Sequence, residues 1–541
     1  MNRSLLLICF FISLFCNGQL PSWQWVQSGT CTTSDNASAV AVDPLGNVYS
    51  TGYFYGTNLS FGSTTLINNG NYDCFLVKYD NAGNFLWAKS IGDAYDEVGT
   101  SVCTDASGNV FVTGYFTSST LAVGSNTFSN QGGTDVFIAK FSPSGTILWS
   151  KQFGGSMNDD GNGITCDLNN DVLLTGMFQS GMIPFGTGTL SPNGSGDAYV
   201  AKYDNNGNEL WARNLGGSGM DISYAISTTT LNDIYIAGSF KSASVTFSSN
   251  LLSNQGGCDY FIAEFDASGN EMWAKDAGGN FDDEGTAIKC TPNGVFTTGY
   301  FKSTNITLGT TTYTNAAVAS ADVFLIEYNN AGIETITYAY GGNQDDIGYG
   351  LTADASGSIY MAGHIHSPTI VFGTYTLNCG GVGDAFITEF DKYGNLFWAD
   401  NIGGLQDEGI AGLTCDVVGN VFAAGFFYSP SVNFGPITIN NNGSSDFFVA
   451  KLLYTPNSVP ETRNQKPEIS LYPNPASDGF YLSNLNGKSS IHIYDVSGKQ
   501  VLRSELSSDR DFISVADLSK GIYFVSIISG NETISKKLII N

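Results

Sequence analysis

The sequence predicts an all-β protein: a seven-bladed β-propeller closed by its N-terminal strand, followed by a small C-terminal β-sandwich. Three landmarks that share one period predict it. An aspartate recurs at Asp73, Asp135, Asp197, Asp259, Asp322, Asp384 and Asp446, always 62 or 63 residues apart. A glycine recurs in step at Gly52, Gly114, Gly176, Gly238, Gly299, Gly363 and Gly425. Tryptophan follows at Trp25, Trp87, Trp149, Trp211, Trp273 and Trp398, with Ile336 in the remaining slot. A fixed period carried by short alternating runs means a repeat architecture. The composition agrees: aromatics are 13% and charged residues 13%, with 65 glycines, which suits short strands joined by tight turns.

Taken in chain order, residues 1–18 read as a secretory signal peptide. Arg3 supplies the positive region and Leu5 to Phe15 the apolar one, too short to span a membrane. Cleavage is expected near Gly18–Gln19. A lipid-modified Cys16 is the alternative, against which stands the bulky Phe15. No later stretch is long and apolar enough to cross a bilayer.

Residues 19–455 form the propeller. The copy at 99–155 shows the unit. A first strand ends at Asp105, Ala-Ser-Gly-Asn makes a turn, and Asn-Val-Phe-Val-Thr-Gly-Tyr-Phe makes the second strand. Asp-Val-Phe-Ile-Ala-Lys-Phe is the third, Pro-Ser-Gly its turn, and Thr-Ile-Leu-Trp-Ser-Lys the fourth. Four antiparallel strands in about 60 residues describe a blade. The last copy stops after its third strand, at Leu452. An orphan fourth strand, Trp-Gln-Trp-Val-Gln-Ser-Gly at 23–29, precedes the first copy. The counts balance if that strand completes the last blade and removes an open edge.

Strand parity puts the tight turns on one face and the longer two–three and four–one loops on the other. The two–three loops repeat an apolar–Gly–Thr pattern and are expected as hairpins projecting from the loop-rich face, where binding is most often carried. Residues 456–467 read as a polar, proline-containing linker. Residues 468–541 alternate like the strands of a small β-sandwich.

Charge is unevenly placed. Between Gln19 and Thr455 there are 12 basic and 40 acidic residues; beyond, 9 and 9. An acidic body repels phosphates and anionic membranes, which argues against nucleic-acid binding. Cations, neutral glycans and basic protein surfaces remain as partners.

Acidic groups gather on the loop-rich face, with Asp159, Asp160, Asp282, Asp283, Asp345 and Asp346 as the candidate binding residues. Two readings stand. A carboxylate-lined face would take calcium or a cationic partner. Alternatively, the repeated acids accept hydrogen bonds from loop backbone and hold the loops. Repetition in every blade favours the second, and no cofactor is required.

His364 and His366 share one side of an extended chain. Zinc needs at least one further ligand there, and the sequence indicates none. His364 is therefore expected to pack as Tyr53, Tyr115 and Tyr300 do in the same slot. Cys103, Cys166, Cys290 and Cys415 fall at matching places in different blades, and are expected as buried thiols too far apart to bond. The Trp column is expected to pack between blades. No Gly-x-Ser-x-Gly, His-Glu-x-x-His or P-loop is present.

The repeat Gly-Gly-x-x-x-Asp, Asp-x-x-Gly-Asn-Val-x-x-Thr-Gly-x-Phe, Asp-x-Phe over about residues 22–454 resembles the SBBP-type seven-bladed propeller family. It departs from the pattern at Ile336 and at the shortened turn of 291–296. The tail carries Tyr472-Pro-Asn-Pro-Ala-Ser, Ile493-Tyr-Asp-Val-Ser-Gly-Lys, Leu518-Ser-Lys-Gly-Ile-Tyr and the terminal Lys-Lys-Leu-Ile-Ile-Asn. It resembles the C-terminal sorting domain of the type IX secretion system of Bacteroidota. That resemblance implies a secreted or outer-surface protein that engages the type IX machinery. The propeller resemblance implies no reaction. The expected function is non-enzymatic binding or adhesion to a glycan or surface protein; the alternative is an extracellular hydrolase or lyase acting on polysaccharide.

Overall fold

The computed structural model describes residues 22–186, 188–453, 470–472, 476–483, 489–495, 499–506, 512–529 and 532–540. The predicted signal peptide and linker lie outside them. The chain divides into two compact units, 1–455 and 456–541. Every regular element among the described residues is a strand.

The first unit repeats one antiparallel four-stranded sheet. Glu97–Thr104, Val110–Phe116, Asp135–Phe141 and Ile147–Phe153 make one such sheet in chain order. Among the described residues seven of these sheets follow one another between Trp23 and Leu452. The last is built from Glu408–Cys415, Val421–Phe427 and Asp446–Leu452, and Trp23–Gln27 completes it, with Trp25 opposite Lys451. The first sheet also lies against the last: the Asp35 amide donates to Ser445 O at 3.0 Å, and the Phe447 amide to Asp35 Oδ1 at 2.8 Å.

Burial follows from the sequence of each strand. The third strands, such as Asp135–Phe141, are buried along their whole length, because a neighbouring sheet covers each face. That is why Val-Phe-Ile-Ala reads as continuous apolar sequence instead of alternating. The recurring glycine has a local cause. Each first strand carries a bulge, as between Gly99 and Ser101, and it pushes a carbonyl across the second strand. A Cβ on Gly114 would stand 1.8 Å from Val98 O, so no larger residue fits.

The tryptophans tie neighbouring sheets. Trp149 Nε1 donates to Asn205 O in the next sheet at 3.1 Å, and its ring lies against Phe111, Tyr203 and the backbone of Gly207. Trp149 is half-buried rather than fully covered.

The two–three hairpins do not project as expected. Leu121, Val123, Phe185 and Phe247 on them are buried, and Asn126 Nδ2 donates to Ser150 Oγ of the fourth strand at 3.0 Å. Each hairpin alternates apolar and polar residues, so its apolar side must be covered. Folding back onto the outer strands does this and shields the sheet edge.

The second unit holds a four-stranded sheet ordered Gln500–Leu506, Ser489–Tyr494, Gly521–Ser529, Glu532–Ile540, and a three-stranded one of Ser470–Tyr472, Gly479–Ser483 and Ile513–Ser514. They share a core of Phe480, Ile491, Ile493, Val525, Ile527 and Leu538.

Candidate functional site

The seven first strands surround a cavity of about 560 Å³. Val40, Val102, Ile164, Ile226, Ile288 and Leu351 give it an aliphatic wall, while Tyr53, Tyr349, His364 and Phe426 stand towards the loop-rich mouth. A second cavity of about 410 Å³ opens at the tight-turn side, beside Asp43, Asp105, Asp167 and Asp416. Those acids are largely claimed by the protein's own lysines: Lys140 lies 3.3 Å from Asp105 and Lys202 2.8 Å from Asp167.

The six acidic residues singled out in the sequence do not converge; they form pairs in three different sheets. Asp159, Asp283 and Asp346 are fully buried, and each accepts four hydrogen bonds. For Asp159 the donors are the amides of Gly155, Gln179 and Ser180 at 2.8–3.1 Å and Ser180 Oγ at 2.5 Å. Asp283 binds Gly279, Lys302 and Ser303 in the same way, and Asp346 binds Gly342, His366 and Ser367. These three carboxylates hold loops and have no free face for a ligand. Asp160, Asp282 and Asp345 are half-buried; they accept from Thr134 Oγ1 at 2.6 Å, Cys258 N at 3.0 Å and Ala321 N at 2.9 Å.

The seven marker aspartates are buried as well. In each, Oδ2 accepts a loop amide, as Asp259 does from Gln255 at 2.9 Å, while Oδ1 is buried with no hydrogen-bond partner. Burial pushes the carboxyls of Asp73 and Asp135 up to about 6 and those of Asp259 and Asp322 up to about 7. Repulsion from the four-donor acid of the next sheet adds to this, as Asp283 does for Asp259.

One seam breaks the repeat. His364 Nε2 lies 2.8 Å and His366 Nε2 3.3 Å from Asp407 Oδ1, so the third partner that the sequence did not indicate is present. His364 and His366 stand on the second strand of the sixth sheet and just beyond its end, and Asp407 immediately precedes the seventh sheet. Asp407 was hidden because it is 43 residues from His364 and looks like one more loop acid. Its counterparts Asn158, Asp282 and Asp345 accept the amide of the residue before the marker aspartate. Here that residue is Gly383, whose amide donates to Gln406 O, as that of Tyr72 does to Tyr95 O beside Asp96, and the carboxylate is left to the histidines. Hydrogen bonds from His364 and then His366 hold the Asp407 carboxyl well below the usual carboxylate range, and the Asp407 bond raises His366.

A second expectation also needs correcting. Cys103 and Cys166 are not far apart: their Sγ atoms are 3.2 Å from each other. Both lie on first strands, which crowd together around the central cavity, so equivalent positions in adjacent sheets meet there.

The chain is thus an all-β protein of repeated, propeller-like four-stranded sheets with a second β unit at its C-terminus. Residues 470–541 match the Secretion system C-terminal sorting domain. This tail involves the protein in type IX secretion and implies export to the cell surface or release. A WD repeat-containing protein of Acanthamoeba polyphaga mimivirus is 24% identical over 476 residues, which cover 72% of this chain and 34% of that protein. The regulatory protein FlaEY of Caulobacter vibrioides is 29% identical over 142 residues, 26% of this chain and 15% of that one. The chain therefore spans about a third or less of these relatives' length. The Pan2 WD40 domain of Neurospora crassa overlaps 80% of this chain and 96% of its own, at TM-score 0.38 and 10% identity.

Proposed function

We propose that the protein is a seven-bladed β-propeller of the SBBP type. In this reading it is exported through a signal peptide at 1–18 and a C-terminal sorting domain folded as a β-sandwich. At the cell surface or in the medium it binds a glycan or a surface protein without transforming it. The carrying observation is the even repetition of the sheets, which sets equivalent acid-bearing loops around one face in every copy. Of the six candidate acids, Asp160, Asp282 and Asp345 keep exposed surface for a ligand. A polysaccharide-active hydrolase or lyase is the second reading; it is favoured by one observation, the single polar cluster at His364 beside the central cavity. Screening the purified full chain on glycan and matrix-protein arrays, with a hydrolase panel in parallel, separates the two. Saturable binding without product release is expected. Turnover of any polysaccharide would sink the binding reading.

A further inference from the structure

We propose that His364 Nε2, His366 Nε2 and Asp407 Oδ1 form a binding site for a divalent transition metal of the zinc class, with one coordination position left open. Four observations carry this. The donor atoms all lie within 4.8 Å of one another. Two imidazole nitrogens and one carboxylate oxygen are the donor set of open zinc sites, whereas calcium and magnesium select oxygen alone. Bonds of about 2.0–2.2 Å around a tetrahedral zinc place its ligand atoms roughly 3.3 Å apart. The 3.3 Å from His366 to Asp407 already meets this, and the 2.8 Å from His364 needs to open by about half an ångström.

Second, the ring of His366 is preset. Its Nδ1 lies 3.2 Å from Asp345 O. A carbonyl only accepts, so Nδ1 carries a hydrogen, and Nε2, aimed at Asp407, is the nitrogen a metal would take in place of its hydrogen bond there. A backbone carbonyl on the far nitrogen is the usual support of a metal-bound imidazole.

Third, the backbone leaves room for this cluster only because residue 383 is glycine. A Cβ there would stand 2.3 Å from Asp407 Oδ1, 2.7 Å from His366 Cδ2 and 2.9 Å from His364 Nε2. The sheet closes this seam with a parallel bridge between Gly383 and Asp407, so the glycine floors the cradle. Fourth, the site is reachable. The side chains of His366 and Asp407 are 26% and 30% exposed, and His364 borders the central cavity. The open position therefore faces solvent, where water or an oxygen or nitrogen donor of an incoming ligand would complete the shell. The inference does not depend on what the acidic face binds.

The test titrates zinc into the chelator-stripped full chain by calorimetry and repeats it with cobalt, whose visible absorption reports low-coordinate nitrogen–oxygen ligation. One ion per chain is expected, resistant to millimolar calcium. His366→Gln and Asp407→Asn should each weaken zinc roughly tenfold or more, with the near-ultraviolet circular dichroism unchanged. His492→Gln, in the second unit, should leave binding as it was. Gly383→Ala should abolish binding while keeping all three donors. Should that variant fail to fold, the half-exposed His366 still decides the matter. Absence of zinc binding in the wild type, or full affinity in His366→Gln and Asp407→Asn, overturns the proposal.

Discussion

Replacing Asp259 with asparagine should uncouple part of the protein's stability from pH. The wild-type carboxyl is buried, with one oxygen unpartnered and Asp283 nearby. Desolvation raises it from the ordinary 3.8 to about 7. In the folded state it holds a proton up to that pH, while the unfolded chain loses it near 4. Stability from this group is fully present below about 4 and is lost as pH rises through about 7. The interval corresponds to about 4 kcal/mol, and to ~2 kcal/mol once the site relaxes around the charge. An asparagine amide at this position is neutral throughout and contributes no such slope. Unfolding of about 430 residues carries an entropy near 0.9 kcal/mol/K, so 2 kcal/mol is about 2 °C in Tm. Scanning calorimetry of wild type and Asp259→Asn at pH 4 and pH 8 reads it. The variant should gain about 2 °C on the wild type between the two. Parallel Tm–pH curves would refute the reasoning and show that the carboxylate is ionised in both states or neutralised by something bound.

Further outcomes follow from the same structure. Deleting residues 19–30 strips Trp23–Gln27 from the strand Asp446–Leu452 and should give a lower Tm and concentration-dependent association by light scattering; a monomer with an unchanged melting curve would contradict the closure. Trp149→Ala should cost about 2–3 kcal/mol by denaturant titration, less than a fully buried tryptophan because the ring is half-exposed. Gly207→Ala should cost about 1–3 kcal/mol, since φ is 81° and a Cβ would stand 2.9 Å from Trp149 Cδ2. After export into an oxidising milieu, Cys103 and Cys166 should lose two hydrogens to a thiol-oxidising disulfide and form a bond, leaving two fewer alkylatable thiols than the eight of residues 31–415. Millimolar calcium should not shift Tm, because Asp159, Asp283 and Asp346 already have four donors each; a shift abolished by Asp259→Asn would place calcium at the marker carboxyls.

Period and strand pairing were legible in the sequence because every copy obeys the same two constraints, a buried third strand and a bulged first strand. Trp25 could be assigned its partner by counting strands alone. What depends on how copies meet was not legible. Cys103 and Cys166 looked remote because matching positions lie 63 residues apart, yet first strands converge on one axis. The hairpins looked like projections because their apolar alternation does not name its cover. Asp407 looked like another loop acid because its distinction lies in the two histidines that meet it across Gly383, 24 and more residues away in the chain.

The combination of Gly383 with two histidines makes this seam unlike the rest. In the third, fifth and sixth sheets the residue before the first-strand acid is bound by the backbone, so its carboxylate or amide is already in use. At those three seams a new site cannot arise by adding histidines alone. It needs the carboxylate released and space opened in front of it. Gly383 opens the space, its amide turns to Gln406 O, and the slots filled by Tyr53 and Tyr55 in the first sheet supply His364 and His366. The same four-stranded frame persists on both sides of the seam, with His364 opposite Ile347 and Ala385 in regular register. The departure is thus confined to side chains on an unchanged scaffold, which is the arrangement in which a repeated fold can hold a single specialised site without loss of its core.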